Sequence, residues 1–129
     1  MISNEQLIQQ AKDVVKWRKL SENCTVGDVG AALLTASGNV YVGISIDASC
    51  GIGFCAEHSA VAQMVTKGES KVVKLVALTE HGHFLPPCGR CRELLFQINR
   101  ENLKAEVLLG PHKTVTLEQL LPERWQETY

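Results

Sequence analysis

Two stretches of this chain, Phe54–Ala60 (FCAEHSA) and Pro87–Cys91 (PCGRC), place cysteines where an extended apolar run and a loop hand over to a helical repeat. No other feature restricts the fold as much. A helix start carries unpaired backbone N–H groups, and a helix that only packs has no use for reactive side chains there. From Cys55, the residues Ala56, Ala60, Val61, Met64 and Val65 share one helical face up to a stop at Gly68. From Cys88, the residues Cys91, Leu94, Leu95 and Ile98 do the same.

The rest of the chain fits around these two helices. An N-terminal helix over Asn4–Leu20 carries Leu7, Ile8, Ala11, Val14 and Val15 at helical spacing, and Ser3 with Gln6 forms a capping box. The runs VGAALLTA and VYVGISI flank Ser-Gly-Asn and predict a β-hairpin. In the second run Val40, Val42, Ile44 and Ile46 alternate with Tyr41, Gly43 and Ser45, which suits a strand with two different faces. KVVKLVAL and AEVLLG read as strands, TLEQLL as a short helix, and SENCTVGD, DASCGIGF and TEHGHFLPP as loops. Strands alternating with helices predict an α/β sandwich with a mainly parallel second half, and 129 residues predict one domain over 1–129.

A formal charge of −1 and the lack of a Lys/Arg run argue against a nucleic-acid partner and favour a small substrate. No apolar stretch approaches a membrane span and the N-terminus is too polar for a signal peptide, so a cytoplasmic protein is expected. Five cysteines, an odd and uneven set, do not make a disulfide framework. Cys24 and Cys50 read as small buried packing residues.

Cys88 and Cys91 lie three apart, so at a helix start their sulfurs share one face. The N–H groups there favour thiolate, the form that binds metal. If both helix starts converge at one sheet edge, Cys55, Cys88 and Cys91 give a tetrahedral zinc three sulfurs and leave the fourth position to water, as in catalytic zinc sites. Glu57, two residues beyond Cys55, leans over that metal as a proton carrier.

The pattern CAE followed by PCGRCRE resembles the zinc-dependent cytidine deaminase family, in particular its small homotetrameric cytidine deaminases and the related blasticidin S deaminases. VGAALLT, YVGISI and LLPERW resemble further family stretches, so the likeness runs over most of the chain. The resemblance implies a three-layer α/β/α sandwich around a mixed five-stranded sheet. It implies Zn2+ on Cys55, Cys88 and Cys91, with Glu57 as the catalytic residue passing protons to N3 and to the leaving amine of a cytosine-type ring. It also implies substrate contacts from the backbone of Ala56 and Cys88, from the Pro86 carbonyl, and from Ser45 and Asp47, which stand where the family has Asn and Glu for the ribose. A homotetramer or homodimer is implied too, with Trp125 closing a neighbouring subunit's pocket.

The chain departs from the family at several points. Gly27 replaces an aromatic, and His58 replaces an Arg that follows CAE. Three other readings of the residues stay open. The substrate could be another aminated heterocycle or an aminonucleoside antibiotic such as blasticidin S. Cys88 and Cys91 alone match a redox C-x-x-C. Cys55 and His58, at C-x-x-H spacing, could complete a closed Cys3His zinc in a non-catalytic interaction domain. His81, His83 and His112 read as solvated, and Arg90 or Arg92 could offset thiolate charge.

Overall fold

The twelve residues of β2 (Cys24–Thr35) run through the middle of a mixed sheet and pair on both sides. The computed structural model describes residues 1–127. In it β2 lies antiparallel to β3 (Val40–Ala48), to β4 (Val72–Thr79) and, at its N-terminal end, to β1 (Arg18–Ser21). β4 runs parallel to β5 (Glu106–Gly110), which turns back antiparallel into β6 (Lys113–Thr116). Two expectations change here. The sheet has six strands rather than the five that the resemblance implies: the four read from the sequence are joined by β1 and β6, four residues each and largely exposed, which are held by backbone pairing without an apolar pattern to announce them. The second half is not mainly parallel: β4 with β5 is the parallel pair, and the hairpin at Gly110 reverses the chain.

Alternation along the central strands sorts side chains into two cores. Ala32, Leu34, Val76, Leu78 and Leu108 face α1 (Asn4–Val14), which buries Leu7, Ile8 and Ala11 against them. Leu33, Leu75 and Val107 face the other way. There they meet Ala60, Val61 and Met64 of α2 (Ala56–Thr66), Leu95 of α3 (Gly89–Ile98) and Leu117 of α4 (Leu117–Leu120). Each fully buried leucine contributes about 1.5–3 kcal/mol, so the two faces together hold the three layers. The capping box of α1 forms as expected, with the Ser3 N–H on Gln6 Oε1 at 2.8 Å and the Gln6 N–H on Ser3 Oγ at 3.1 Å. The helix stops at Val14, however, because the chain from Arg18 onward pairs with β2.

β3 and β4 both run antiparallel to β2, so they point the same way. The helices that follow them, α2 and α3, therefore both begin at one end of the sheet. Gly43 sets how closely α2 lies on β3. A Cβ at that position would stand 2.4 Å from the Ala60 nitrogen and 2.6 Å from the Ala56 carbonyl oxygen. The Ser59 hydroxyl fastens the contact by donating to the Ile44 carbonyl at 2.7 Å.

Candidate active site

Each cysteine of interest sits where its helix begins. Cys55 is the N-cap of α2 and Cys88 the N-cap of α3, both in extended conformation and neither making a side-chain capping bond. Cys91 lies one turn into α3 and is buried. Their sulfurs meet: Cys55 Sγ is 3.2 Å from Cys88 Sγ, Cys88 Sγ is 3.5 Å from Cys91 Sγ, and all three lie within 4.8 Å of one another. A third sulfur therefore joins the C-x-x-C, and a redox pair alone does not describe the site. Burial pushes the Cys55 thiol up to about 11, aided by its contact with Cys88, and drives Cys91 higher still. Burial also opposes ionisation of Cys88. A hydrogen bond from Cys55 and the N–H groups of Cys91 and Arg90 outweigh it, leaving Cys88 below the ordinary thiol value. Two reluctant thiols and one willing one, gathered this tightly, suit a soft divalent cation that replaces their protons.

A cleft of about 400 Å³ opens beside the sulfurs. Its wall includes Cys55, Ala56, Glu57, Pro86, Cys88 and Arg90 on the metal side, and Ser45 and Asp47 on the other. The structure thus brings to one cavity every expected site residue except Cys91, buried beneath it, and Trp125. Glu57 is only 4% exposed, and desolvation raises its carboxyl pKa. A cation on the sulfurs would pull that value back. Ser45 is nearly buried, and its Oγ accepts the Val29 N–H at 3.1 Å, which leaves the hydroxyl proton for a ligand. Trp125 is 53% exposed and lies by a separate hollow with Phe96, Gln97 and Arg100, so it does not line the cleft of this chain.

His58 is not one of the clustered ligands. Its Nδ1 lies 3.2 Å from Cys91 Sγ, yet the group of mutually close ligand atoms contains only the three cysteines among the described residues. Burial and the charge of Arg90 lower its pKa. Arg92 is committed elsewhere, donating from Nε to the Pro87 carbonyl at 2.7 Å and from a terminal nitrogen to that of Leu120 at 2.9 Å. It braces the turn that delivers Cys88. His81 and His83 stay exposed on a turn closed by Thr79, outside the cleft. Cys50 is not a buried packing residue: it is exposed, in left-handed conformation (φ 63°), in the turn after β3.

Asp28 was not singled out from the sequence. Between Val26 and Gly30 the register of β2 on β3 slips, which carries Asp28 against Asp47. Desolvation, the Asp47 charge and a hydrogen bond between the two carboxyl groups raise the Asp28 pKa. No Lys or Arg among the described residues forms an ion pair with either carboxylate. A carboxylate on each side of a strand register slip is too weak a pattern to read without the fold.

Residues 1–106 match the family model of the cytidine and deoxycytidylate deaminase zinc-binding region. The chain belongs to this family. It is 34% identical over 97 residues to a cytidine deaminase of Halalkalibacterium halodurans, spanning 73% of this chain and 74% of the relative. It is 28% identical over 107 residues to a blasticidin-S deaminase of Bacillus cereus, spanning 75% and 76%. The crystal structure of a cytidine deaminase from Mycobacterium tuberculosis superposes with a TM-score of 0.78 at 26% identity, over 97% of this chain and 98% of that one. Membership of a zinc-binding family agrees with the donor set: three cysteine sulfurs gathered at two helix starts, and, among the described residues, no side chain clustered as a fourth ligand.

Proposed function

We propose that the chain is a zinc-dependent hydrolytic deaminase that converts a cytosine-type nucleoside to its uracil counterpart and releases ammonia. The observation that carries this reading is the meeting of three sulfurs and the buried Glu57 carboxyl at one cleft large enough for a nucleoside. Cys55, Cys88 and Cys91 hold the zinc. When bound, the metal supplies Lewis acidity that lets water give up a proton near neutral pH. Glu57 takes that proton and delivers it to ring N3, then takes the second proton of the same water and passes it to the amine, which leaves C4 as ammonia while the water oxygen stays. Its burial suits the first half of the task, since a carboxylate with a raised pKa takes up a proton more readily than an ordinary one. The backbone of Ala56 and the Pro86 carbonyl border the reacting end, where a carbonyl oxygen can accept from the exocyclic amine. Ser45 donates to the sugar and Asp47 accepts from it.

The whole chain acts as one catalytic unit in the cytoplasm, assembled as a homotetramer or homodimer in which Trp125 reaches a neighbouring pocket. The half-exposed Trp17 and Trp125 rings support an assembly, and light scattering tests it. No helix among the described residues is long and apolar enough to cross a membrane.

A second reading, an aminonucleoside antibiotic of the blasticidin S kind, is favoured by the adjacent Asp28 and Asp47 carboxylates, which attract a cationic substituent better than a neutral ribose. One experiment tests both readings: ammonia release from cytidine, deoxycytidine, cytosine and blasticidin S by the purified protein, with zinc content measured in parallel. Zinc-loaded protein that releases ammonia from none of them refutes the function.

A further inference from the structure

His58 has an assignment that neither the ligand set nor the proton path provides. It is the third residue of α2, and its imidazole bridges to the first turn of α3, with Nδ1 at 3.2 Å from Cys91 Sγ. Phe54 covers one face of the ring, with centroids 6.4 Å apart and planes inclined by 29°. Phe54 is itself fixed by a two-way backbone bridge to Ile46, with N···O distances of 2.9 and 3.0 Å, and it lines the cleft. The imidazole is thus held on its own helix, against a ring, and at hydrogen-bond distance from a metal-binding sulfur.

A thiolate sulfur only accepts hydrogen bonds, so with Cys91 ionised the contact requires the proton on Nδ1. Three thiolates on a divalent cation leave one surplus negative charge, which weakens the metal's pull on any further ligand. Arg92 donates to two carbonyl groups instead. Among the described residues, His58 supplies the one side-chain nitrogen bonded to any of the three sulfurs. We infer that His58 is a positioning residue whose Nδ1–H donates to the Cys91 thiolate, orienting that ligand and drawing charge from it, with Phe54 holding the ring in place. The inference rests on the zinc site of the proposed function and is independent of the substrate.

The test is zinc affinity, measured by competition with a chromophoric chelator, together with the thiolate-to-metal charge-transfer absorption of the cobalt-substituted protein. The variants are His58→Leu, His58→Asn and His58→Gln. The Asn amide nitrogen falls where Nδ1 stands, whereas that of Gln falls nearer Nε2. His58→Leu should bind zinc about 10–100-fold more weakly than wild type, as does loss of other groups that support metal ligands. His58→Gln should be as weak, and His58→Asn should stand close to wild type. The cobalt band should move to lower energy in the Leu and Gln variants and hold its position in the Asn variant, because a sulfur without its donor gives up charge more easily. Equal affinities and spectra in all three variants overturn the inference, as does an Asn variant no better than Gln. A cobalt spectrum in wild type that requires a nitrogen ligand, lost in the variants, overturns it in favour of direct coordination. Should the Leu variant fail to fold, the contrast between Asn and Gln decides. Wild-type protein that binds no zinc would instead refute the zinc site itself, and this inference with it.

Discussion

Gly43 lies outside both cysteine motifs, yet replacing it by alanine should damage the site more than replacing a glycine within one. The added Cβ would stand 2.4 Å from the Ala60 nitrogen, 2.6 Å from the Ala56 oxygen and 2.6 Å from Ser59 Cβ. None of these atoms is the far end of a flexible side chain, so relief requires the whole first half of α2 to withdraw by about 1 Å. That helix carries Cys55 at its cap and Glu57 in its first turn. A displacement of this size costs about 1–3 kcal/mol as an overpacked contact. It also costs about 100-fold in rate where reacting groups lose their alignment. Gly89, between the two cysteines of α3, is the control: its Cβ would meet nothing within 4 Å, and its backbone is helical. Gly89→Ala should therefore leave stability level or raise it slightly. Urea unfolding and zinc binding of both variants, with ammonia release on the best substrate, make the comparison. Gly43→Ala protein with wild-type stability and turnover, or the same losses in both variants, would refute the argument that α2 is seated on a side-chain-free position.

Four further outcomes are expected. Glu57→Gln should keep zinc, since Glu57 is not among the clustered ligands, and lose about 10²–10⁴ in turnover or more, read as ammonia release by metal-loaded protein. Melting temperature should rise with the logarithm of free zinc, reaching about 4 kcal/mol of stabilisation at a thousandfold excess over Kd. Zinc affinity should fall on acidification, because protons then compete for Cys55, whose thiol is held up at about 11. Glu69 accepts hydrogen bonds from Ser37, from Tyr41 at 2.6 Å and from Asn39 at 2.8 Å, which hold its carboxyl down at about 2. A depressed folded-state value means that this support is complete above the ordinary value of 4.5 and disappears as pH falls through about 2. The stability difference between wild type and Glu69→Gln should shrink over that interval in acid denaturation, and a difference constant across it would contradict the assignment.

Much of the site is legible before any coordinates, because a metal centre needs fixed residue types at fixed spacing. C-x-E and C-x-x-C at two helix starts leave little freedom, and both helices begin at the expected cysteines. Periodicity is equally clear where burial is strong: Ala56, Ala60, Val61 and Met64 face the core as their spacing implies, although Val65 turns out 48% exposed. What escapes the sequence depends on long-range pairing. The N-terminal helix is expected to reach Leu20, but Trp17 and Leu20 are exposed and Arg18 pairs with Val26 instead. Propensity within that segment does not register a partner in β2. β6 is hidden for the same reason. Asp28 meets Asp47 only because a register slip in β2 turns it there, and His58 meets Cys91 only because two helices start side by side. His58 did carry a signal, its place directly after the glutamate, but spacing alone could not distinguish a ligand from a donor to one.

Both helix starts leave the usual capping position to a cysteine that makes no capping bond. Ser, Thr or Asp there would typically be worth about 1 kcal/mol each, so the apo fold forgoes stability at the two positions that its chemistry needs. A descendant released from metal binding could gain robustness by exchanging either cysteine for serine, and the same exchange would abolish the centre. In this scaffold, durability without metal and competence with it compete for the same codons.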